Sequence, residues 1–163
     1  MELLEHRIIT VEERASIPRL DYVFAFGPML PLVAGAVASW WLERSAAAAA
    51  VQGSILWGGA ILLFLSGVRR GLSFRTEQGP TVAQILTMLC VYTLGVLALG
   101  ALWLGHSGAA AGGLIAGYAA LLVLDPIAAR RGEAPLYFAR LRPMQLPIAI
   151  VSLCAILARV AMG

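Results

Sequence analysis

The chain contains no lysine and few charged residues of any kind. Only 13% of its 163 residues are charged, whereas 60% are hydrophobic and the mean hydropathy is +0.84. Soluble domains carry roughly a quarter charged residues and about half apolar ones. Because so few polar side chains could not cover the apolar surface of a soluble domain, the composition predicts an integral membrane protein whose solvent is lipid.

Cysteine and histidine are also scarce. Cys90 and Cys154 lie far apart inside apolar runs, where we expect both to be small, buried hydrophobic side chains. The chain has no CxxC or other metal-ligand spacing, and His6 and His106 lie outside the apolar segments. Neither a metal site nor a haem held by two histidines is therefore predicted, and we expect no cofactor.

Charged residues are missing from the middle of every apolar segment, where they usually mark transport or proton chemistry. The chain also lacks a Ser-His-Asp set, a Gly-rich phosphate loop and an HExxH motif. We therefore expect no enzymatic activity. Asp125, at the end of the fourth segment, is predicted to form a structural ion pair rather than to act as a catalytic acid. Its candidate partners are Arg69, Arg70 and Arg130.

Apolar stretches long enough to cross a bilayer occur five times, since a hydrocarbon core about 30 Å thick needs about 20 residues per helix. They cover residues 22–42, 46–68, 81–104, 108–124 and 143–161. We predict an all-α fold, an integral membrane bundle of five transmembrane helices over residues 22–163. An N-terminal amphipathic arm, residues 1–21, precedes the bundle.

Two polar segments are predicted to lie at the membrane surface. In the arm, residues 10–13 (TVEE) fit a capping box that would start a short helix, which should end before Pro18. That helix would rest on the membrane or dock on a partner. Residues 134–142 (APLYFARLR) mix aromatic side chains with arginines and resemble a second interfacial piece.

The arginines are distributed unequally between the two sides of the predicted bundle. Ten of the twelve fall in the N-terminal arm or in the loops after the second and fourth helices. Because positive loops stay cytoplasmic, the N-terminus is predicted to be cytoplasmic and the C-terminus periplasmic, in a bacterial inner membrane. Positive loops are normal in membrane proteins, so the pI of about 9.3 does not indicate a nucleic-acid partner.

The positive side is also a candidate surface for binding anionic membrane lipids or the subunits of a larger complex. Topology alone would explain these arginines, and both explanations can hold together. The candidate binding residues are Arg69, Arg70, Arg75, Arg130, Arg131, Arg140 and Arg142.

The first apolar segment contains a predicted helix break at Gly27, Pro28 and Pro31. Proline lacks an N–H group and clashes with the carbonyl four residues earlier, so it frees backbone carbonyls. Broken membrane helices can line ion or substrate sites. We favour a simple kink satisfied by water and headgroups, because no acidic residue accompanies the break.

A GxxxG motif, Gly113 to Gly117, lies in the fourth segment. Missing side chains let helices approach closely, and lipid offers no hydrophobic drive for helix association. We expect this motif to pack against other helices of the same chain; a dimer face is the alternative.

Several short motifs resemble one family. They are Ile17-Pro18 before a proline-containing helix, LLFLSGVRRGLSF at residues 62–74, Asp125 after the fourth helix, and the segment 134–142. In this order they resemble the small multi-pass membrane family of unknown function that includes the mitochondrial transmembrane-protein-69-like proteins. The resemblance implies a multi-pass helical fold and no established activity, so it supplies no catalytic residues. This chain departs from the family at Arg69 and Arg70, where an aromatic residue and a histidine are common.

These observations favour a non-catalytic protein, an accessory or assembly subunit of a larger membrane complex. A small oligomeric transporter or channel built around the break at Pro28 and Pro31 is the alternative. A membrane enzyme acting on lipid or quinone through Asp125 is a third hypothesis.

Overall fold

The computed structural model describes residues 17–74 and 79–163, and helices account for most of them. The helices are α1 (Arg19–Phe26), α2 (Leu30–Trp41), α3 (Arg44–Ser73), α4 (Val82–Trp103), α5 (Ser107–Arg130) and α6 (Phe138–Met162). A 3-10 turn, Gly27–Met29, joins α1 to α2. Most of the predicted amphipathic arm (residues 1–16) and Arg75 lie outside the described residues.

Within the described residues, five helical stretches are long and apolar enough to cross a membrane. The first is Arg19–Trp41, in which α1, the 3-10 turn and α2 run on from one another. Each of the helices α3 to α6 supplies one more. The prediction of an all-α membrane bundle of five transmembrane helices is confirmed.

Short connections make neighbouring helices antiparallel. Residues 42–43 join α2 to α3, and residues 104–106 join α4 to α5. The second turn requires Gly105, whose φ of 81° is costly for residues with a Cβ. The starts of α3 and α5 therefore lie at the same end of the bundle as the last turns of α2, α4 and α6. We call this the Arg44 end and the opposite end the Asp125 end.

The start of α4 is set by its own side chains. Thr81 Oγ1 accepts a hydrogen bond from the Gln84 N–H (3.2 Å), and Gln84 Oε1 accepts one from the Thr81 N–H (3.0 Å). This capping box satisfies two backbone donors that the first turn leaves without partners. It fixes the first turn of α4 at the Asp125 end, beside the last turns of α3.

The core lies where α3, α5 and α6 meet. Its largest buried side chain is Tyr118, packed among leucines such as Leu62, Leu114 and Leu153. The Tyr118 hydroxyl donates a hydrogen bond to the Gly58 carbonyl (2.8 Å), so this polar group is satisfied inside the bundle. The core thus joins three helices through close packing and one interhelical hydrogen bond.

Large apolar side chains cover the outside of the bundle, including Phe64, Leu97 and Trp103. Cys90 and Cys154 are exposed on these outer faces, so the expectation that both are buried is wrong. The physical reason is that lipid solvates apolar side chains, and an apolar residue in a membrane helix need not point inward.

Helices α3, α5 and α6 extend beyond their predicted ends, and the first span begins at Arg19 rather than Tyr22. Helix α3 continues to Ser73, so Arg69 and Arg70 lie in a helix rather than in a loop. Helix α5 runs through Pro126 to Arg130. Helix α6 already begins at Phe138, so residues 134–142 do not form a separate surface piece; Phe138, Leu141 and Arg142 are buried.

The GxxxG glycines lie against other helices of the same chain. A Cβ on Gly117 would overlap the side chain of Leu62 in α3, and one on Gly113 would stand 3.5 Å from Cβ of Ala98 in α4. The missing side chain of Gly117 therefore permits close packing of α5 on α3, whereas a Cβ at Gly113 would make only an ordinary van der Waals contact with α4.

Candidate functional site: a buried Arg–Asp–Arg cluster

Three charged side chains from three helices meet near the Asp125 end. Asp125 of α5 pairs with Arg69 of α3, and its other carboxylate oxygen, Oδ2, lies 2.9 Å from Nε of Arg142 in α6. Asp125 is 3% exposed and Arg142 5% exposed. The arrangement is an ion cluster inside the bundle rather than a pair of surface salt bridges.

The helix extensions described above bring these groups together. Arg69 lies one turn before the end of α3, and Arg142 lies one turn into α6. Asp125 precedes the last turn of α5. Because α4 and α6 run antiparallel to α3 and α5, the last turns of α3 and α5 and the first turns of α4 and α6 lie at the same end of the bundle, and these positions fall at the same depth.

A polar shell surrounds the cluster. Arg69 donates a hydrogen bond to the Thr87 hydroxyl of α4 (3.1 Å), and Arg142 donates one to Oε1 of Gln145 (2.9 Å). The Phe138 ring lies under the Arg142 guanidinium, 4.5 Å from the centroid, which adds a cation–π contact. The network therefore holds α3, α4, α5 and α6 together.

The cluster has an excess of positive charge, because two guanidinium groups share one carboxylate. Burying charges is costly, and the attraction between opposite charges offsets that cost only with good geometry and further hydrogen bonds. In the part of the chain that the structure describes, Nε of both Arg69 and Arg142 lacks a hydrogen-bond acceptor of good geometry. The 2.9 Å contact of Arg142 Nε is thus a charge contact rather than an aligned hydrogen bond.

Small cavities of about 20 and 50 Å³ adjoin the cluster and are lined by Arg69, Gln84 and Glu133. A cavity needs only about 10–15 Å³ to hold a water molecule. Drug-sized ligands usually occupy about 300 Å³ or more. The cavities therefore have room for a few water molecules beside the charges but not for a metabolite.

The predicted helix break is present and is connected to the cluster. Around the 3-10 turn, the Ala25 carbonyl accepts a hydrogen bond from Nε2 of Gln145 (2.8 Å). The Pro28 carbonyl accepts one from Nε1 of Trp57 (2.9 Å), and the Gly27 carbonyl accepts the Leu30 N–H. The carbonyls that the prolines were expected to free are those of Phe24 and Gly27, four residues before Pro28 and Pro31. The Gly27 carbonyl has a backbone partner, and the side chains of α3 and α6 bond the neighbouring carbonyls of Ala25 and Pro28.

The candidate arginines in the described residues differ in what their side chains contact. Arg69 and Arg142 are directed inward to Asp125, so their charges are not offered to lipid or to a partner, contrary to the expectation from the sequence. Arg70 donates a hydrogen bond to the Ser73 hydroxyl (2.9 Å) and lies over the Phe74 ring. The arginines left exposed are Arg130, Arg131 and Arg140.

Of the three expected partners of Asp125, Arg69 pairs with it, and within the described residues Arg70 and Arg130 do not. Sequence reasoning missed Arg142 because residues 134–142 were assigned to the membrane surface. A usable signal was present: Asp125 is the one acidic residue within the last two turns of the fourth apolar segment, close to arginine-bearing helix ends, and a carboxylate can accept two guanidinium partners.

No family model, curated protein or solved structure matches the chain. Residues 17–74 and 79–163 contain no group of three or more His, Cys, Asp or Glu side chains placed to hold a metal ion.

Proposed function

We propose that this membrane protein is non-catalytic and serves as an accessory or assembly subunit of a larger membrane complex. Its Asp125 end would contact anionic lipid headgroups or an acidic surface of a partner. The observation that carries the proposal is the exposure of Arg130, Arg131 and Arg140 around the turn between α5 and α6. Glu133 is the one acidic residue among them in sequence, so the turn keeps a net positive charge.

The buried cluster supports this assignment by what it does to the helices. Arg69, Asp125 and Arg142 hold α3, α5 and α6 at fixed positions, so the turn that carries the exposed arginines is anchored at both ends. Basic side chains near an anionic membrane surface contribute about 1 kcal/mol each. Three such residues would provide a modest, additive attraction, which suits docking better than catalysis.

The proposal includes an orientation. Arginine-rich ends of membrane helices stay cytoplasmic, and the Asp125 end carries most of the arginines. We therefore place the Asp125 end and the N-terminus in the cytoplasm of a bacterial cell, with the Arg44 end facing the periplasm. We also propose that the chain is related to the small membrane family that includes the transmembrane-protein-69-like proteins, which its sequence motifs resemble.

Purification from the native membrane in mild detergent, followed by mass spectrometry of retained proteins and lipids, tests the assignment. The wild-type chain should retain a partner in fixed stoichiometry, and the double variant Arg131→Gln/Arg140→Gln should recover several-fold less of it. Arg19→Gln, an exposed arginine outside the α5–α6 turn, controls for the loss of charge. Equal recovery by the double variant, or a chain purified without partners, would contradict the proposal.

A small oligomeric transporter is the second candidate, because one observation favours it. Gln145 links the buried charges to the interrupted first span by bonding both Arg142 and the Ala25 carbonyl. A change at the cluster would thus be transmitted to the helix break. Proteoliposomes should then show solute flux that Gly27→Ala or Pro31→Ala abolishes; absence of flux across a broad solute panel would exclude this candidate.

An enzyme using Asp125 has less support, since the adjacent cavities are too small for a lipid or quinone headgroup.

A further inference from the structure

A larger cavity lies at the opposite end of the bundle. It has a volume of about 430 Å³ and is formed by the first two turns of α3, the start of α5 and the last turn of α6. Its polar lining consists of Arg44, Gln52, Ser107 and Arg159. Unlike the cavities beside Asp125, it has the volume of a small-molecule binding site.

This cavity is positively charged. No Asp or Glu is among its lining residues, and among the described residues neither Arg44 nor Arg159 forms an ion pair. Glu43 precedes Arg44 in sequence but does not line the cavity. The Arg159 side chain is held in place because its Nε donates a hydrogen bond to the Ser39 carbonyl (3.0 Å). Its terminal nitrogens lie beside Gly163, which also lines the cavity.

A second space, an apolar groove, lies beside the cavity on the outside of the bundle. Gln52 lines both spaces, and the groove, about 590 Å³, runs between α3 and α4 past Gly53, Leu56 and Leu99. A Cβ on Gly53 would meet no atom within 4 Å, so the missing side chain leaves the groove open. Trp103, at the mouth of the groove, is 90% exposed. A tryptophan at that position is typical of the membrane–water interface.

We propose that the cavity binds the phosphate group of an anionic phospholipid and that one acyl chain of this lipid lies in the groove between α3 and α4. Guanidinium groups match phosphate oxygens with two parallel hydrogen bonds, and two unpaired guanidiniums face one cavity here. The apolar groove begins beside them, at Gln52, as the geometry of a phospholipid requires. A soluble anion would use the arginines but not the groove. The site is separate from the α5–α6 turn and goes beyond the proposed function.

Native mass spectrometry of the full chain in dodecyl maltoside, titrated with phosphatidylglycerol, tests this site. The wild-type chain should retain one phosphatidylglycerol molecule, and Arg44→Gln should weaken its binding about tenfold, as expected for the loss of a hydrogen bond to a charged group. Arg44→Lys, which keeps the charge, should lose less. Arg44 is exposed, so these variants remove no core packing. Arg19→Gln, at the Asp125 end, should bind like the wild type.

The groove is tested separately by Gly53→Leu, because a Cβ at this position meets no atom within 4 Å and the added side chain would occupy space in the groove. This variant should also weaken phosphatidylglycerol binding several-fold, while leaving thermal stability unchanged. Inorganic phosphate in millimolar excess should fail to displace the lipid; displacement would assign the arginines to a free anion and overturn the lipid assignment. Equal affinities of wild type and Arg44→Gln would overturn the site itself. Because the α5–α6 arginines are intact in all these variants, failure here is distinguishable from failure of the subunit proposal.

Discussion

Removal of the Asp125 carboxylate is the most direct test of how the bundle is held together. Asp125→Asn keeps the shape of the side chain and leaves Arg69 and Arg142 as buried charges without a counter-ion. At the 2.9 Å separation of Arg142 Nε and Asp125 Oδ2, the coulombic attraction is about 6 kcal/mol for an effective dielectric constant of about 20. Desolvation of both groups offsets much of this attraction. Removing one partner of a buried pair nevertheless costs about 3–5 kcal/mol, because the remaining charge stays buried.

We therefore expect Asp125→Asn to lower the free energy of unfolding by about 3–5 kcal/mol. The measurement is reversible unfolding in mixed micelles of dodecyl maltoside and sodium dodecyl sulfate. A triple variant, Arg69→Met/Asp125→Leu/Arg142→Met, replaces all the charges with apolar side chains and should recover most of the loss, since such replacements are often neutral or stabilising. A loss below about 1 kcal/mol in Asp125→Asn would refute the conclusion that the cluster is a buried ionic tie between helices.

Three further predictions concern packing and the helix break. Gly117→Val should lower the free energy of unfolding by about 1–3 kcal/mol, because its Cβ would overlap Leu62, while Gly112→Val, which meets no atom within 4 Å, should not. Gln145→Leu removes the donor to the Ala25 carbonyl and the acceptor of Arg142, so hydrogen exchange should rise in residues 24–30 relative to residues 31–41 of α2; unchanged exchange in residues 24–30 would show that the helix break is not coupled to the cluster. Trp57→Phe keeps an aromatic ring but removes the indole N–H that donates to the Pro28 carbonyl, so the free energy of unfolding in the same micelle assay should fall by about 0.5–1.5 kcal/mol.

The difference between expected and observed helix ends has one cause. Apolar runs mark the part of a helix that lies in hydrocarbon, whereas backbone hydrogen bonding continues until a cap, a glycine or a turn ends it. In α3 the run ends at Val68, but the helix continues to Ser73. Those extra turns carry Arg69 and Arg70 into contact with other helices and with Phe74, so hydropathy alone misplaced them in a loop.

The same distinction applies to the arginines as a set. The sequence indicates that ten of the twelve arginines lie on one side of the predicted bundle, but it does not distinguish buried arginines from exposed ones. Packing separates them, because Arg142 points toward Asp125 whereas Arg140, two residues earlier on the same helix, points outward. Successive helical residues are rotated by about 100°, so nearby arginines can serve opposite purposes.

The amino-acid sequence by itself determined that this protein is an all-α membrane bundle of five spans, and that its first span breaks near Gly27. Both follow from local properties: the length of an apolar run needed to cross lipid and the missing N–H of proline. Only the tertiary structure decided that Asp125 binds Arg69 and Arg142, that Gln145 and Trp57 donate hydrogen bonds to carbonyls beside the helix break, and that Arg44 and Arg159 face one cavity. Each of these joins residues from different helices, and their meeting depends on how the helices rotate and slide against one another as their side chains pack. That relative placement is a property of the assembled bundle and of no single segment.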